Sequence, residues 1–447
     1  MVIATSDRLS SRGYRLSRIL RLGHHLCRQV RRVDRAMTSA ISWLDFSEED
    51  QRRAREILQL FTQPGSVDEL GIGPVRDALS DAMFPGTSVL HTRARYLLFI
   101  PWLFSEAARL RPAGPPLSAW VDHQERRLIE ALRHGGFGGT GDGLIGRNAG
   151  ASLKHLPSSI YWHALREWRI LRRPGTIEQI AGAPRRTHSL EEALTEFVER
   201  DDAAWDLNLP KPPERFFQME DAAFSLEAEE AEWLAERIEK SVPGSLLAWL
   251  VASNVAPKAT SNTPWEDSSV LAAPAELSRV LSHARLFSAV LHGAALLYNL
   301  IVAERCAELG LTNTGEKVAD YKIRLEVWAT GLGGSGDRLT TWPIGQFWGL
   351  VMSVNPGIPL LTRSFIDKWI ALVLPSEGRS VANSEVARQL IGSRERLLKG
   401  GRSRLTNDRL LHEWTGSSGA DPLTFRWQQV KVLLTDISAG RSARAGA

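Results

Sequence analysis

The feature that most constrains the fold is a long apolar stretch near the middle of the chain. The run from Phe287 to Ala303 is interrupted by His292 and Asn299, and it lies within a helical pattern from Leu277 to Glu308. The run falls short of the roughly 20 apolar residues that a helix needs to cross a bilayer. A helix that is apolar on all sides must be covered by other helices. The stretch therefore predicts a buried core helix, and no contact with a membrane is expected.

Helical spacing of apolar residues recurs through most of the chain. The pattern predicts helices over Gly73–Met83 and 118–133, and a third from an N-cap at Ser225 through Ile238. A further helix is expected to break or kink at Pro101. Strand-like alternation is scarce, and its best candidate is Ile323–Val327. The predicted fold class is mainly α, with many helices in two or three packed helical domains.

The charge distribution suggests the domain boundaries. Residues 1–36 contain nine Arg and two Asp and so carry +7, whereas the whole chain carries +4, which leaves −3 for residues 37–447. We interpret this tail as a disordered extension ahead of a true start at Met37, or alternatively as a transit peptide. The remainder divides into an N-terminal helical domain, 37–185, and a C-terminal helical region, 186–447. The latter begins with an acidic segment, 191–240, whose net charge is −11.

Motifs for cofactors and nucleophiles are missing from the sequence. The glycine-rich run 135–150 lacks the Gly-Lys-Ser/Thr ending of a phosphate loop and is interpreted as an interhelical loop. The eleven His show no metal-ligand spacing. Two cysteines, Cys27 and Cys306, exclude a disulfide framework and fit a reducing compartment. We therefore expect no metal, no cofactor and a cytoplasmic location.

The sequence also gives little support for a catalytic site built on carboxylates. The triplet Asp320-Tyr321-Lys322 resembles part of a nuclease motif, but no partner carboxylate precedes it at a telling spacing. One enzymatic hypothesis remains, in which scattered acids and arginines meet in the fold; these are Asp77, Asp81, Arg93 and Arg95. The alternative is a network of helix–helix salt bridges within the N-terminal domain. The sequence favours a protein without catalytic activity.

A first basic segment has the proportions of a helix-turn-helix at 149–170. A short helix, a break at Leu156–Ser158 and a second helix ending near Trp168 would form the motif. Cationic and polar side chains would surround the second helix and contact nucleic acid; they are Lys154, Ser159, His163, Arg166, Arg169, Arg172 and Arg173. The alternative is an ordinary hairpin of two helices.

A second basic segment lies at 388–409, where seven cations and two acids give a net charge of +5. Cations on a bent helical surface suit a phosphate backbone. The candidate residues are Arg394, Arg396, Lys399, Arg402 and Arg404. Two alternatives remain open: a solvated helix face, or a docking site for the acidic segment of the same chain.

Several strings resemble those of a bacterial family of unknown function. They are SWLDFS (42–47), DELGIG (68–73), FPGTSVLHTRARYLLFIPW (84–102), LPSSIYW (156–162), ARLFSAVLHGAALLYNL (284–300) and LLKGGRSRL (397–405). The resemblance covers nearly the whole chain from Ser42 and implies no known activity or catalytic residue. Members of that family are often encoded beside helicases, methyltransferases and phospholipase-D-like proteins of anti-phage islands. The resemblance therefore implies an accessory role in defence, with helicases or methyltransferases as partners.

Two functions are consistent with these observations. In the first, the chain is a non-catalytic accessory protein that binds nucleic acid through the two basic segments. In the second, it is an adaptor that holds partner proteins through its acidic segment and exposed aromatic side chains, without contacting nucleic acid.

Overall fold

The fold is built from α-helices. The computed structural model describes residues 68–110, 116–182, 203–220, 222–311, 314–333 and 339–443. These residues contain fifteen α-helices joined by turns, by short 3-10 turns and by one π-helical turn at Arg133–Phe137. Their β pairing is limited to an isolated bridge between Leu171 and Trp205. The predicted mainly-α class is confirmed, whereas the predicted tail at 1–36 lies outside the described residues.

In chain order the helices are α1 Gly73–Met83, α2 Tyr96–Leu110, α3 Leu117–Leu132, α4 Pro157–Glu167, α5 Ile177–Gly182, α6 Ala228–Ser241, α7 Leu246–Ser253, α8 Ser268–Leu271, α9 Ala275–Glu308, α10 Thr314–Gly333, α11 Ile344–Val354, α12 Leu360–Val373, α13 Glu385–Lys399, α14 Asp408–His412 and α15 Trp427–Ala443.

Helix α9 forms the centre of the fold, as its apolar sequence predicts. Helices α1, α10, α12 and α13 pack against it. Among the described helices it is the one long and apolar enough to cross a membrane, yet 78% of its most apolar window is buried inside the protein. Two polar residues within its apolar stretch have partners: His292 Nε2 lies 3.1 Å from the Ala420 carbonyl, and Asn299 exchanges two 2.8 Å hydrogen bonds with the Ser418 backbone.

Two local predictions are wrong. Residues 323–327 belong to α10, where Tyr321, Leu325 and Trp328 form the buried stripe at helical spacing while Ile323 and Val327 are exposed. Helix α6 begins after Glu227 rather than at Ser225, because Glu227 and Glu230 form a reciprocal capping box. Of the two outcomes expected at Pro101, a break does not occur, because α2 runs from Tyr96 through Pro101 to Leu110.

The N-terminal and C-terminal parts of the described chain are packed together. The described residues all belong to one compact unit, and the boundary predicted at residue 185 lies outside the described residues. Helix α1 packs against α9 and α11, and α15 packs against α6 and α7.

Ion pairs connect segments that are far apart in sequence. Both carboxylate oxygens of Asp436, on α15, accept hydrogen bonds from the Arg93 guanidinium at 2.8 and 2.9 Å. Arg95 pairs with the buried Glu230 at 2.8 Å, and Arg426 donates to Asp81 at 2.5 Å. Arg93 and Arg95 thus have separate partners, whereas Asp77 and Asp81 share Arg426, so the four residues of the enzymatic hypothesis do not pair with one another. The expectation of a network confined to the N-terminal domain is also wrong, because three of these partners come from the C-terminal half.

A further network surrounds Glu69, whose side chain is 3% exposed. Its carboxylate pairs with Lys399 and Arg404 and accepts a hydrogen bond from the Ser418 hydroxyl. Arg404 also donates to Tyr298 Oη at 3.3 Å. The network therefore joins the segment before α1 to the core helix α9 and to the end of α13.

We expect Glu69→Ala to lower the free energy of unfolding by about 3 kcal/mol, because it leaves two largely buried cations without their carboxylate. Urea unfolding of the full chain measures this change. The matched control is Glu236→Ala, which removes an exposed partner of Lys240 on α6 and should cause no measurable change. Equal stability of the two variants would contradict the structural role of Glu69.

Candidate nucleic-acid interface

Helix α4 is held on the protein by one apolar face. Pro157 occupies its first turn, where a missing N–H costs nothing, and Tyr161, Ala164 and Leu165 are buried beneath it. The helix ends at Trp168, a fully buried residue whose indole donates a 3.0 Å hydrogen bond to the Pro85 carbonyl. Gly86, which has a positive φ of 79°, allows this approach, since a Cβ there would lie 2.6 Å from the indole nitrogen. The opposite face of α4 therefore faces solvent.

The start of α4 is fixed by a buried carboxylate from α3. Glu125 is 2% exposed and accepts hydrogen bonds from the Ser158 backbone N–H and hydroxyl, both at 2.7 Å. The free N–H groups and the dipole at a helix N-terminus favour such an acid. Burial nevertheless raises the pKa of Glu125 to about 7, despite the two hydrogen bonds from Ser158.

The solvent face of α4 carries polar residues at helical spacing. Ser159, His163 and Arg166 lie at positions i, i+4 and i+7, which places them on one stripe. His163 and Arg166 are exposed. Ser159 is half-buried, and its hydroxyl donates to the Leu156 carbonyl at 2.8 Å, so it already has an acceptor within the protein.

Cations extend this stripe at both ends of the helix. We call the group the α4 cationic surface; it consists of Lys154, His163, Arg166, Arg169, Arg172 and Arg173. All are exposed except Arg173, which is half-buried. Arg169 turns the chain away from α4 with a positive φ of 54°, and the isolated bridge at Leu171 follows. Between residues 154 and 173 there are five Lys or Arg and one acid, Glu167.

The predicted helix-turn-helix is not formed. The segment before α4 contains a single 3-10 turn at Gly150–Ser152, in which Gly150 has a positive φ of 51°. A left-handed residue there stops an α-helix from forming. The candidate residues of this segment therefore surround one surface helix instead of a recognition helix supported by a partner.

The second basic segment is largely turned inward. Arg394 is 4% exposed and donates to the Leu70 carbonyl at 2.8 Å and to the Thr362 hydroxyl at 2.8 Å. Lys399 and Arg404 both pair with Glu69. Of the five candidates there, only Arg396 and Arg402 are exposed. The prediction of a phosphate-binding patch is wrong for Arg394, Lys399 and Arg404, because acceptors elsewhere in the chain hold them.

Glu69, Glu125 and Asp436 are structural residues that sequence reasoning missed. Each is a buried carboxylate whose partners come from another helix or from a distant segment. A signal for Glu69 was present, since it lies in the DELGIG string and its partners lie in the LLKGGRSRL string. Nothing in the spacing of either string says that the two strings meet.

The described residues contain no group of three or more His, Cys, Asp or Glu placed to hold a metal ion. The glycine-rich run is a loop, as expected, and Arg133 donates to the carbonyls of Gly146 and Arg147 within it. Cys306 is buried, and burial raises the pKa of its thiol. These features give the described chain no visible centre for metal or thiolate chemistry.

Comparison with known proteins agrees with the resemblance seen in the sequence. The model of a family described as "Family of unknown function (DUF6361)" matches residues 38–440. No curated protein and no solved structure matches the chain.

The raised pKa of Glu125 predicts a pH-dependent stability. Its pKa rises from 4.5 when unfolded to about 7 when folded, so the folded state holds this proton more tightly. The contribution of protonated Glu125 to the free energy of unfolding is therefore complete below the pKa of the unfolded state. It is lost as the pH rises through the pKa of the folded state. Glu125→Gln stays neutral at every pH. As the pH rises from 4.5 to about 7, we therefore expect its free energy of unfolding to increase by about 3 kcal/mol relative to that of the native chain. Urea unfolding on both sides of the interval measures the gain, and parallel pH profiles would contradict it.

Proposed function

We propose that this chain, which belongs to the family of unknown function DUF6361, binds the phosphate backbone of nucleic acid through the α4 cationic surface. The observation that carries the proposal is a set of unpaired cations. The side chains of Lys154, Arg166, Arg169 and Arg173 form no ion pair or hydrogen bond with any described residue. They lie within twenty residues of sequence, around one exposed helix face.

Many exposed arginines elsewhere in the described chain have a carboxylate partner. Arg109 pairs with Glu106, Arg305 with Glu308 and Arg379 with Glu377. Part of the charge on α4 has a local explanation, because a cation in the last turn, such as Arg166, stabilises the helix dipole. Stabilisation of the helix dipole does not explain Lys154, which precedes the helix, or Arg173, which lies six residues beyond its end.

The spacing of these cations suits contacts to phosphates more than the reading of bases. Without a supporting first helix, α4 lacks the arrangement by which a helix-turn-helix presents its recognition helix to a groove. Phosphate contacts fix the position of nucleic acid but carry no sequence information. We therefore propose an accessory protein that holds nucleic acid without strong sequence preference, with a partner enzyme such as a helicase or methyltransferase acting on it.

The test is the salt dependence of binding. The full chain is titrated against a fluorescently labelled DNA duplex by anisotropy at several salt concentrations. Arg166→Ala/Arg169→Ala removes two exposed cations, and each lost phosphate contact should lower the slope of log affinity against log salt by about 0.9. We expect weaker binding and a slope reduced by about two.

The matched control is Arg396→Ala/Arg402→Ala, which removes the same charge from exposed positions of the second basic segment. We expect this variant to bind like the native chain. An equal loss in both variants would mean that net charge alone drives binding. Absence of binding at low salt would exclude the nucleic-acid function.

A second candidate function, a protein adaptor, is favoured by one observation. Leu360 and Leu361 at the start of α12 are 78% and 60% exposed, and Leu397 and Leu398 at the end of α13 are 60% and 44% exposed. The hydrogen bond from Arg394 to Thr362 brings these two helix ends together. Clustered exposed apolar side chains are typical of protein-binding surfaces. The adaptor function predicts no measurable affinity for nucleic acid in the same titration.

A further inference from the structure

A cleft of about 180 Å³ lies beside the N-terminal half of α9, next to α8 and the end of α10. Its walls are mainly buried apolar side chains, among them Val270, Leu281, Leu286, Leu332 and Leu339. Protein interiors leave few voids larger than a water molecule. A cavity of roughly 150 Å³ with such a lining is enough for benzene. The cleft therefore has room for a small ring or a branched alkyl group.

The mouth of the cleft is polar. Ser278, Ser282 and Arg285 lie at positions i, i+4 and i+7 of α9, on one stripe above the apolar walls. The Ser278 hydroxyl is engaged, because it donates to the Ala273 carbonyl at 3.0 Å. Ser282 and Arg285 are exposed, and their side chains form no hydrogen bond or ion pair with any described residue.

Arg285 gives the cleft a preference for anions. Its guanidinium is a planar fork that matches a carboxylate with two parallel hydrogen bonds. The acid in the first turn of α9, Glu276, pairs instead with Arg279 at 3.6 Å. A ligand with an apolar body and an anionic head would use both the walls and the mouth, whereas a neutral apolar ligand would leave Arg285 unused.

We propose that this cleft binds a small amphipathic carboxylic acid, with its aromatic or branched body between α8, α9 and α10. Its carboxylate pairs with Arg285 and accepts a hydrogen bond from Ser282. The site does not overlap the α4 cationic surface and does not depend on binding of nucleic acid.

Benzoate is the probe, and benzyl alcohol is the neutral ligand of similar shape. Saturation-transfer NMR on the full chain gives the dissociation constants. We expect benzoate to bind in the millimolar range and Arg285→Gln to weaken it about tenfold, with benzyl alcohol unaffected. The matched control Arg279→Gln removes a cation from the same helix outside the cleft and should leave both dissociation constants unchanged.

A second variant tests whether the ligands bind inside the cleft without changing the charge of Arg285. Ser282→Trp places an indole across the mouth and should abolish binding of both ligands, and because Ser282 is exposed the fold is retained. No saturation transfer to benzoate at millimolar concentration would overturn the proposal. Equal benzoate affinity in the native chain and in Arg285→Gln would also overturn it, as would unchanged binding in Ser282→Trp.

Discussion

The structure depends on one requirement: a charge removed from water must meet an opposite charge or hydrogen-bonding partners. Glu69 is satisfied by Lys399 and Arg404, and Arg95 by Glu230. Hydrophobic burial around α9 supplies the driving force, but many packings of apolar helices would bury similar area. Only the packing that places α13 beside the segment before α1 gives Glu69 its partners. The ion pairs thus select one arrangement among several that the apolar surfaces alone would accept.

The same requirement explains which predictions from sequence succeed. Helices α1, α3 and α9 were predictable because their apolar spacing and their proline and glycine boundaries are local properties. The strand at 323–327 was wrong because a five-residue alternation is also compatible with a helix whose buried stripe falls on other residues. The two basic segments look alike in sequence, since both concentrate cations within about twenty residues. The two segments differ in their partners: Arg394 and Arg404 contact residues 69–71, more than 300 residues earlier in the chain, and no local sequence pattern indicates this contact.

This difference in pairing indicates which cations are available to bind a phosphate. A cation that is already paired has exchanged its hydration for a protein acceptor and gives little to a phosphate. A cation still in water can displace the counterions condensed on a nucleic acid, and their release into solution supplies the entropy that favours binding. Lys154, Arg166, Arg169 and Arg173 are of the second kind. The overall charge of the chain is therefore a poor guide, and the pairing state of each cation is the informative quantity.

The large sequence separation within the Glu69 network also determines when the network can form during translation. Glu69 is separated by 335 residues from Arg404. At a synthesis rate of roughly 5–20 residues per second, the partners of Glu69 leave the ribosome tens of seconds after it does. During that interval the Glu69 carboxylate, next to α1 and its apolar face, has no partner. The Glu69 network therefore closes only after residue 404 has left the ribosome, late in translation.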